Sequence, residues 1–302
     1  MSLTNYYIPG RFGLSFELFP PKSAAGEEEL FRHVDELVKF QPDFITCTYG
    51  AGGSTRDKTL DIVCRVRETY RLPVASHLTC VGATREQLTE YLAEARRRGV
   101  EHIVALRGDP PQGETSFQPV AGGLRYANEL VAMIRSDFPE FGIAVAGYPE
   151  THQEAPSAEQ DLQNLARKVR AGGQIVVTQL FYDNDDFFRF RERYDAAGIE
   201  APLVPGILPV TRFAQIKRIA GMCGAKLPPA FAATMERCGD DEAAQFEAGV
   251  QFAVEQVQGL IDGGVPGIHF YVLNKSQATA QVLKEVARPA VAEAAETSEE
   301  NP

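Results

Sequence analysis

Glu17 lies in SFELFPP, a carboxylate flanked by phenylalanines. Burial among aromatic rings disfavours the charged form, so the sequence predicts a raised pKa and a general acid at neutral pH. An ion pair with Arg107 or a lysine is the competing reading; the apolar segment favours the acid. Arg107, Gly108 and Asp109 follow the apolar residues 103–106 and precede two prolines, so a strand carries a charged pair out to its end. His77 in ASHLTC and His152 in YPETHQEA also follow apolar runs. Two such histidines without an HExxH spacing do not make a three-ligand zinc site, so no metal is expected. Apart from Lys275 no lysine stands at a strand end, which disfavours Schiff-base chemistry. No GxSxG supports a nucleophilic serine.

Eight short apolar runs would position these groups: FGLSFELF, FITCTYG, VASHLTC, HIVALRG, IAVAGYP, IVVTQLF, LVPGILP and GIHFYVL. Each is rich in β-branched or aromatic residues and bounded by Gly, Pro or Asp. Amphipathic patterns separate them. Leu88, Leu92 and Ala95 make one apolar stripe, and Phe246, Val250, Ala253, Val257 and Leu260 another. Gly99, Gly172 and Gly198 close helices. Alternating units with continuously apolar strands predict an α/β fold, a single-domain (β/α)8 TIM barrel over residues 1–287. A doubly wound open sheet is the alternative, but no GxGxxG follows the first strand. Residues 288–302 read as a frayed acidic tail.

In such barrels the site forms where strands run out into the following loops. In chain order those positions hold Glu17, Thr48, Tyr49, His77, Arg107, Asp109, Tyr148, Glu150, His152, Gln179, Tyr271 and Asn274. Singly, each reads equally well as a loop polar group or a salt bridge. Their recurrence at strand after strand is what predicts a polar mouth. In AGGSTRD, Ser54 or Thr55 reads as a helix N-cap in preference to a phosphate cradle. In SAEQDLQNLARKVRAG, Leu162, Leu165 and Val169 form a core stripe, and Asp161, Asn164 and Lys168 a second, with Arg167 alongside. Spacing alone reads that second stripe as a solvated face; a grip on ribose and diphosphate is the other reading.

The chain has 302 residues, 44% of them hydrophobic, and a formal charge of −11. That acidity disfavours nucleic acid as a partner. Five cysteines without a CxxC pair predict a reducing, cytoplasmic setting. The amino terminus has no signal-peptide pattern and no run approaches a membrane span, so no membrane partner is expected.

Taken together, SFELFPPK, TCTYGAGGSTRD, SHLTC, HIVALRGDPP, YPETHQEA, TQLFYD, PGILPV and HFYVLNKS resemble the methylenetetrahydrofolate reductase family, in family order. The chain is similar to the catalytic barrel alone. The resemblance implies noncovalent FAD, NADH or NADPH as hydride donor, and 5,10-methylenetetrahydrofolate taking the donor's place to be reduced to 5-methyltetrahydrofolate. It implies that Glu17 is the general acid, and that Asp109 lies near the flavin, contacts the pterin and tunes the redox potential. By the same matching, Thr48, His77, Arg107, Tyr126, Ala127, Tyr148 and His152 contact the flavin, and Gly108 lets backbone approach it. Asp161, Asn164, Arg167 and Lys168 correspond to ribose and diphosphate contacts, and Gln179 and Gln215 to folate contacts. Lys275 is a candidate for the folate tail. It stands where the bacterial pattern has arginine, and Ile219 where some members have phenylalanine, departures that bear on nucleotide affinity and preference. A homo-oligomer is expected. The alternative within the same chemistry is a flavin barrel acting on another small substrate such as an imino acid.

Overall fold

The structure, a computed structural model, describes residues 2–48, 56–110 and 117–289. Tyr49, Ser54, Thr55, part of the long connection after the fourth strand and residues 290–302 lie outside the described residues. Strands and helices alternate: β1 (Gly13–Leu18), α1 (Ala24–Leu37), β2 (Phe44–Cys47), α2 (Arg56–Tyr70), β3 (Val74–Thr79), α3 (Arg85–Arg97), β4 (His102–Leu106), α4 (Ala127–Asp137), β5 (Gly142–Gly147), α5 (Ala158–Arg170), β6 (Ile175–Thr178) and α6 (Asn184–Ala196). Then follow β7 (Leu203–Val204), β8 (Gly206–Ile207), α7 (Phe213–Cys223), α8 (Pro229–Arg237), α9 (Glu242–Asp262), β9 (Gly267–Tyr271) and α10 (Gln277–Glu285). All strand pairs are parallel, in the order β7-β6-β5-β4-β3-β2-β1-β9-β8. This is the single α/β barrel expected from the alternation of elements.

LVPGILP, expected as one strand, is two. Val176 and Val177 of β6 pair with Leu203 and Val204, whereas Gly206 and Ile207 pair with His269 and Phe270 of β9. Pro205 stands between the halves. It has no N–H to give a ladder and its ring fixes the backbone turn. Its carbonyl still accepts the His269 N–H at 3.0 Å. The barrel thus closes through the covalent chain at Pro205, with one half-strand serving each neighbour.

Burial is nearly continuous along each strand because helices cover one face and the barrel interior the other. The inward face changes character along the axis. At the amino-terminal end Phe44, Ala75, Val104, Ala144, Ile175 and Val204 form an apolar layer. A 3-10 helix, Leu3–Tyr6, plugs it from below, with Leu3 and Tyr6 in the same cluster. The Tyr6 hydroxyl lies 3.2 Å from His102 Nε2. Two residues further along several strands, on the same face by strand alternation, stand Thr46, His77 and Leu106. Among the described residues the polar groups that face the cavity lie toward the carboxyl-terminal half, while His102 is paired with Tyr6 at the other end.

Beyond the barrel, α7, α8 and α9 enclose a small satellite core of Phe213, Ile216, Phe231, Met235 and Phe252. The segment after β8 crosses α9 at Gly249, where a Cβ would lie 1.8 Å from the Val210 carbonyl oxygen. Backbone cannot yield as a side-chain tip can. Gly249→Ala is expected to cost about 3 kcal/mol and to lower the thermal midpoint by several degrees. An unchanged melting curve would show that the crossing is loose.

Candidate functional site

A cavity of about 910 Å3 opens at the carboxyl-terminal end of the barrel. Its floor is the polar layer. Glu17 is followed down to its partners by register: Glu17 lies opposite Thr46 of β2 and Tyr271 of β9, and Ser15 opposite His269. Alternation turns Glu17 and His269 inward together. Glu17 Oε2 lies 3.1 Å from His77 Nε2 and 3.7 Å from His269 Nε2. All three side chains are at most 10% exposed. Ser15 Oγ and His269 Nδ1 are 2.7 Å apart, and Thr46 Oγ1 is 3.5 Å from His77 Nε2.

The structure overturns the expected raised pKa of Glu17. Burial does push the carboxyl up, but the electrostatic pull and hydrogen bonding of His77, with His269 close by, outweigh it, bringing the group to about 2. Its neighbours are imidazoles, not phenylalanine rings, and neither Arg107 nor a lysine pairs with it. Glu17 rests as a carboxylate between the two imidazoles.

The wall over β3 and β4 carries His77, Arg107, Gly108 and the exposed Asp109. Gly108 has φ +87°, and a Cβ there would lie 2.7 Å from Val81 Cγ1. The left-handed turn and the packing against Val81 both require glycine at that strand exit. Arg107 Nη2 donates to Glu154 Oε1 at 2.7 Å, and its guanidinium lies 5.2 Å from the Phe117 ring centre. Glu154 also accepts from Arg107 Nη1, so the pair is bidentate across two loops. Thr48, Tyr126 and Ala127 line the same wall.

Next to them, beyond β5, α5 supplies the second stripe. Its start is fixed by Ser157, which accepts from Gln160 N. Asp161, Asn164, Arg167 and Lys168 all line the cavity. Asp161 accepts the His152 N–H at 2.9 Å, and Arg167 donates to Asn164 Oδ1 at 2.9 Å. Lys168 Nζ donates to the Ala146 carbonyl and lies 5.8 Å from the Tyr148 ring centre. Tyr148 and His152 pack edge to face at 4.6 Å. Burial depresses the Lys168 amine to about 8, against the pull of Asp161. The solvated-face reading of this stripe is therefore incorrect for Lys168, which is turned onto the cavity.

Gln179 lines the cavity at the end of β6, with its amide oxygen accepting the Leu180 N–H at 2.9 Å. Gln215, on α7, and the exposed Lys275 do not line the wall, although Ile219, one turn beyond Gln215, does. His269 escaped notice in the sequence because it sits inside a strand. The signal for it was its position two residues before Tyr271, which places both on one face.

Among the described residues no three His, Cys, Asp or Glu side chains cluster in a way that would hold a metal ion. A dinucleotide is a different matter. His77 Nδ1 is buried on the cavity wall with no partner among the described residues, a donor or acceptor that a ring heteroatom could satisfy. The cations, amide and carboxylate of α5 suit a ribose and a diphosphate. Size, orphaned ring nitrogen and donor set all fit. No helix of the described residues is long and apolar enough to cross a membrane.

Comparison with known proteins gives a family. Residues 4–287 match the family model described as methylenetetrahydrofolate reductase. A methylenetetrahydrofolate reductase (NADH) of Arabidopsis thaliana is 39% identical over 284 residues, which cover 91% of this chain and 48% of that protein. The chain thus spans about half the length of such plant relatives. The 5,10-methylenetetrahydrofolate reductase of Escherichia coli K12 is 39% identical over 270 residues, 89% of each chain. Among solved structures, a Clostridium thermocellum protein described as binding two copies of 5-methyl-5,6,7,8-tetrahydrofolic acid superposes with TM-score 0.59 at 13% identity, over 91% of this chain and 94% of that one. That likeness concerns the fold alone.

Proposed function

The chain belongs to the methylenetetrahydrofolate reductase family, and from that membership we propose that it reduces 5,10-methylenetetrahydrofolate to 5-methyltetrahydrofolate with FAD as cofactor and NADH or NADPH as donor. The observation that carries this reading is the meeting, in one cavity, of a buried carboxylate–imidazole cluster at Glu17, an amide at Gln179 and a cationic helix face on α5. When bound, FAD would supply a two-electron carrier between donor and acceptor.

Asp161, Asn164, Arg167 and Lys168 would hold the ribose and diphosphate of that cofactor, the two cations offsetting its charge on an otherwise acidic protein. His77, Arg107, Gly108, Tyr148 and His152 would frame its ring system, with Thr48, Tyr126 and Ala127 beside them. Asp109, at the exit of β4, would face the pterin and disfavour added negative charge on the ring system. One cavity serves nucleotide and folate in turn, which makes the reaction ping-pong.

The folate half needs a proton. The bond between the bridging methylene and N10 breaks, N10 takes a proton, and the methylene is left as an iminium on N5 that accepts the hydride. Glu17 is a carboxylate at rest, so it must take up a proton during the cycle before it hands one to N10. The acid is the cluster, with Glu17 as the member that reaches the substrate. Gln179 would hold the pterin edge.

Glu17→Gln is expected to oxidise NAD(P)H normally with an artificial acceptor, while folate reduction falls about a hundredfold or more. Stopped-flow reduction of the bound flavin by each nucleotide, followed by mixing with the folate, reads both halves. Full folate turnover by the variant would remove Glu17 from its role, and a wild type that never yields 5-methyltetrahydrofolate would overturn the function. A second expectation concerns Lys168. Its amine is depressed to about 8, so the cation is present below that pH and lost above it. FAD affinity, followed by flavin fluorescence, is expected to drop about tenfold as pH rises beyond 8. Lys168→Arg should flatten the drop. An affinity indifferent to pH from 7 to 9 would take Lys168 off the diphosphate.

A further inference from the structure

The split at Pro205 leaves a vacancy in the hydrogen-bond ladder, and one side chain fills it. In the β6–β7 pair Val176 N donates to the Pro202 carbonyl, which sets the phase of the ladder. Continued by two residues, that phase would give the Gly206 N–H to the Thr178 carbonyl. Gly206 N instead donates to the Thr178 hydroxyl at 2.9 Å. The Thr178 carbonyl accepts from the Tyr271 hydroxyl at 2.6 Å, a side chain reaching across from β9.

That carbonyl belongs to the peptide group that joins Thr178 to Gln179. The other end of the same peptide, Gln179 N–H, donates to the Gly147 carbonyl at 2.8 Å. Both polar atoms of the unit from which the Gln179 side chain departs are therefore pinned, one by a neighbouring strand and one by Tyr271. The Tyr271 ring also packs edge to face on His269, at 5.2 Å and 86°. Gly206 makes room for the crossing: a Cβ there would lie 2.3 Å from the Thr178 oxygen and 2.6 Å from Tyr271 Cε2.

We infer that Tyr271 is a positioning residue, whose hydroxyl fixes the peptide that aims Gln179 at the acceptor substrate while its ring braces His269 beside Glu17. It holds the amide that grips the substrate and the cluster that protonates it at a constant separation. The inference rests on the reading of this cavity as a folate site. A small tilt of one peptide moves the tip of a glutamine by far more than the peptide itself, so the effect falls on binding of the acceptor.

Tyr271→Phe keeps the ring and removes the hydroxyl. In steady-state assays with NADH and methylenetetrahydrofolate, the KM for the folate is expected to rise about tenfold and kcat to change less than threefold. In a Gln179→Ala background the same substitution should change that KM less than twofold, because its effect passes through Gln179. A merely structural role would not produce this split or this loss of additivity. A Tyr271→Phe KM within twofold of wild type, or effects that multiply in the double variant, would overturn the inference while leaving the function intact. A wild type inactive on the folate would overturn the functional reading, and the inference with it. If Tyr271→Phe does not fold, as judged by its melting curve, Gly206→Ala carries the same expectation with the hydroxyl retained: its methyl displaces the Thr178 carbonyl, and an unchanged folate KM would again refute the idea.

Discussion

A carboxylate withdrawn from water survives only if something compensates its charge, and here two imidazoles do so. Glu17, His77 and His269 come from three strands and converge at the floor of the cavity. Taking one partner out of such a set costs about 3–5 kcal/mol, because the remaining charge is left buried and alone. The barrel must therefore hold the registers of β1 with β9 and of β2 with β3, which bring the three together. The acid chemistry proposed for the site follows from that contact: why Glu17 rests ionised, which residue hands a proton on, and why the acid lies at the base of the cavity rather than at its rim.

The closure of the barrel serves the same end. Pro205 divides the seventh strand position, yet both neighbours keep a partner, and the Tyr271 hydroxyl takes the place of the missing rung. The cavity-facing polar residues lie toward the carboxyl-terminal half of the interior, and the 3-10 helix plugs the other end with Leu3 and Tyr6, the latter against His102. Solvent and ligand thus have their entrance at the end where the strand-end residues gather. On the wall beyond β5, α5 places Lys168 under a related constraint. It is a half-buried amine, and loss of hydration depresses its pKa despite Asp161 nearby.

Much of this was legible in the sequence, for identifiable reasons. Apolar runs and helical spacings marked each strand position and most helices, because both faces of a parallel strand are buried. The proline in LVPGILP was visible, but its effect was not, since it depends on which neighbours each half-strand finds. Glu17 stood out by position while its ionisation was misread. Flanking residues in sequence, Phe16 among them, point outward to the helices, and the groups that decide its charge arrive from distant strands. Helical spacing on α5 grouped Asp161, Asn164 and Lys168 but could not say whether they met solvent or cavity. Gln215 and Lys275 show the reverse: matched by motif, they stand off the wall.

The protonation state of Glu17 can be observed directly. Infrared difference spectra between wild type and Glu17→Gln at neutral pH, with and without 13C-labelled glutamate, isolate the signal of this one carboxyl group. The account requires the symmetric and antisymmetric stretches of an ionised carboxylate, persisting well below the usual glutamate pKa. A protonated carbonyl stretch from Glu17 at pH 7 would contradict it, and would mean that burial outweighs the imidazoles.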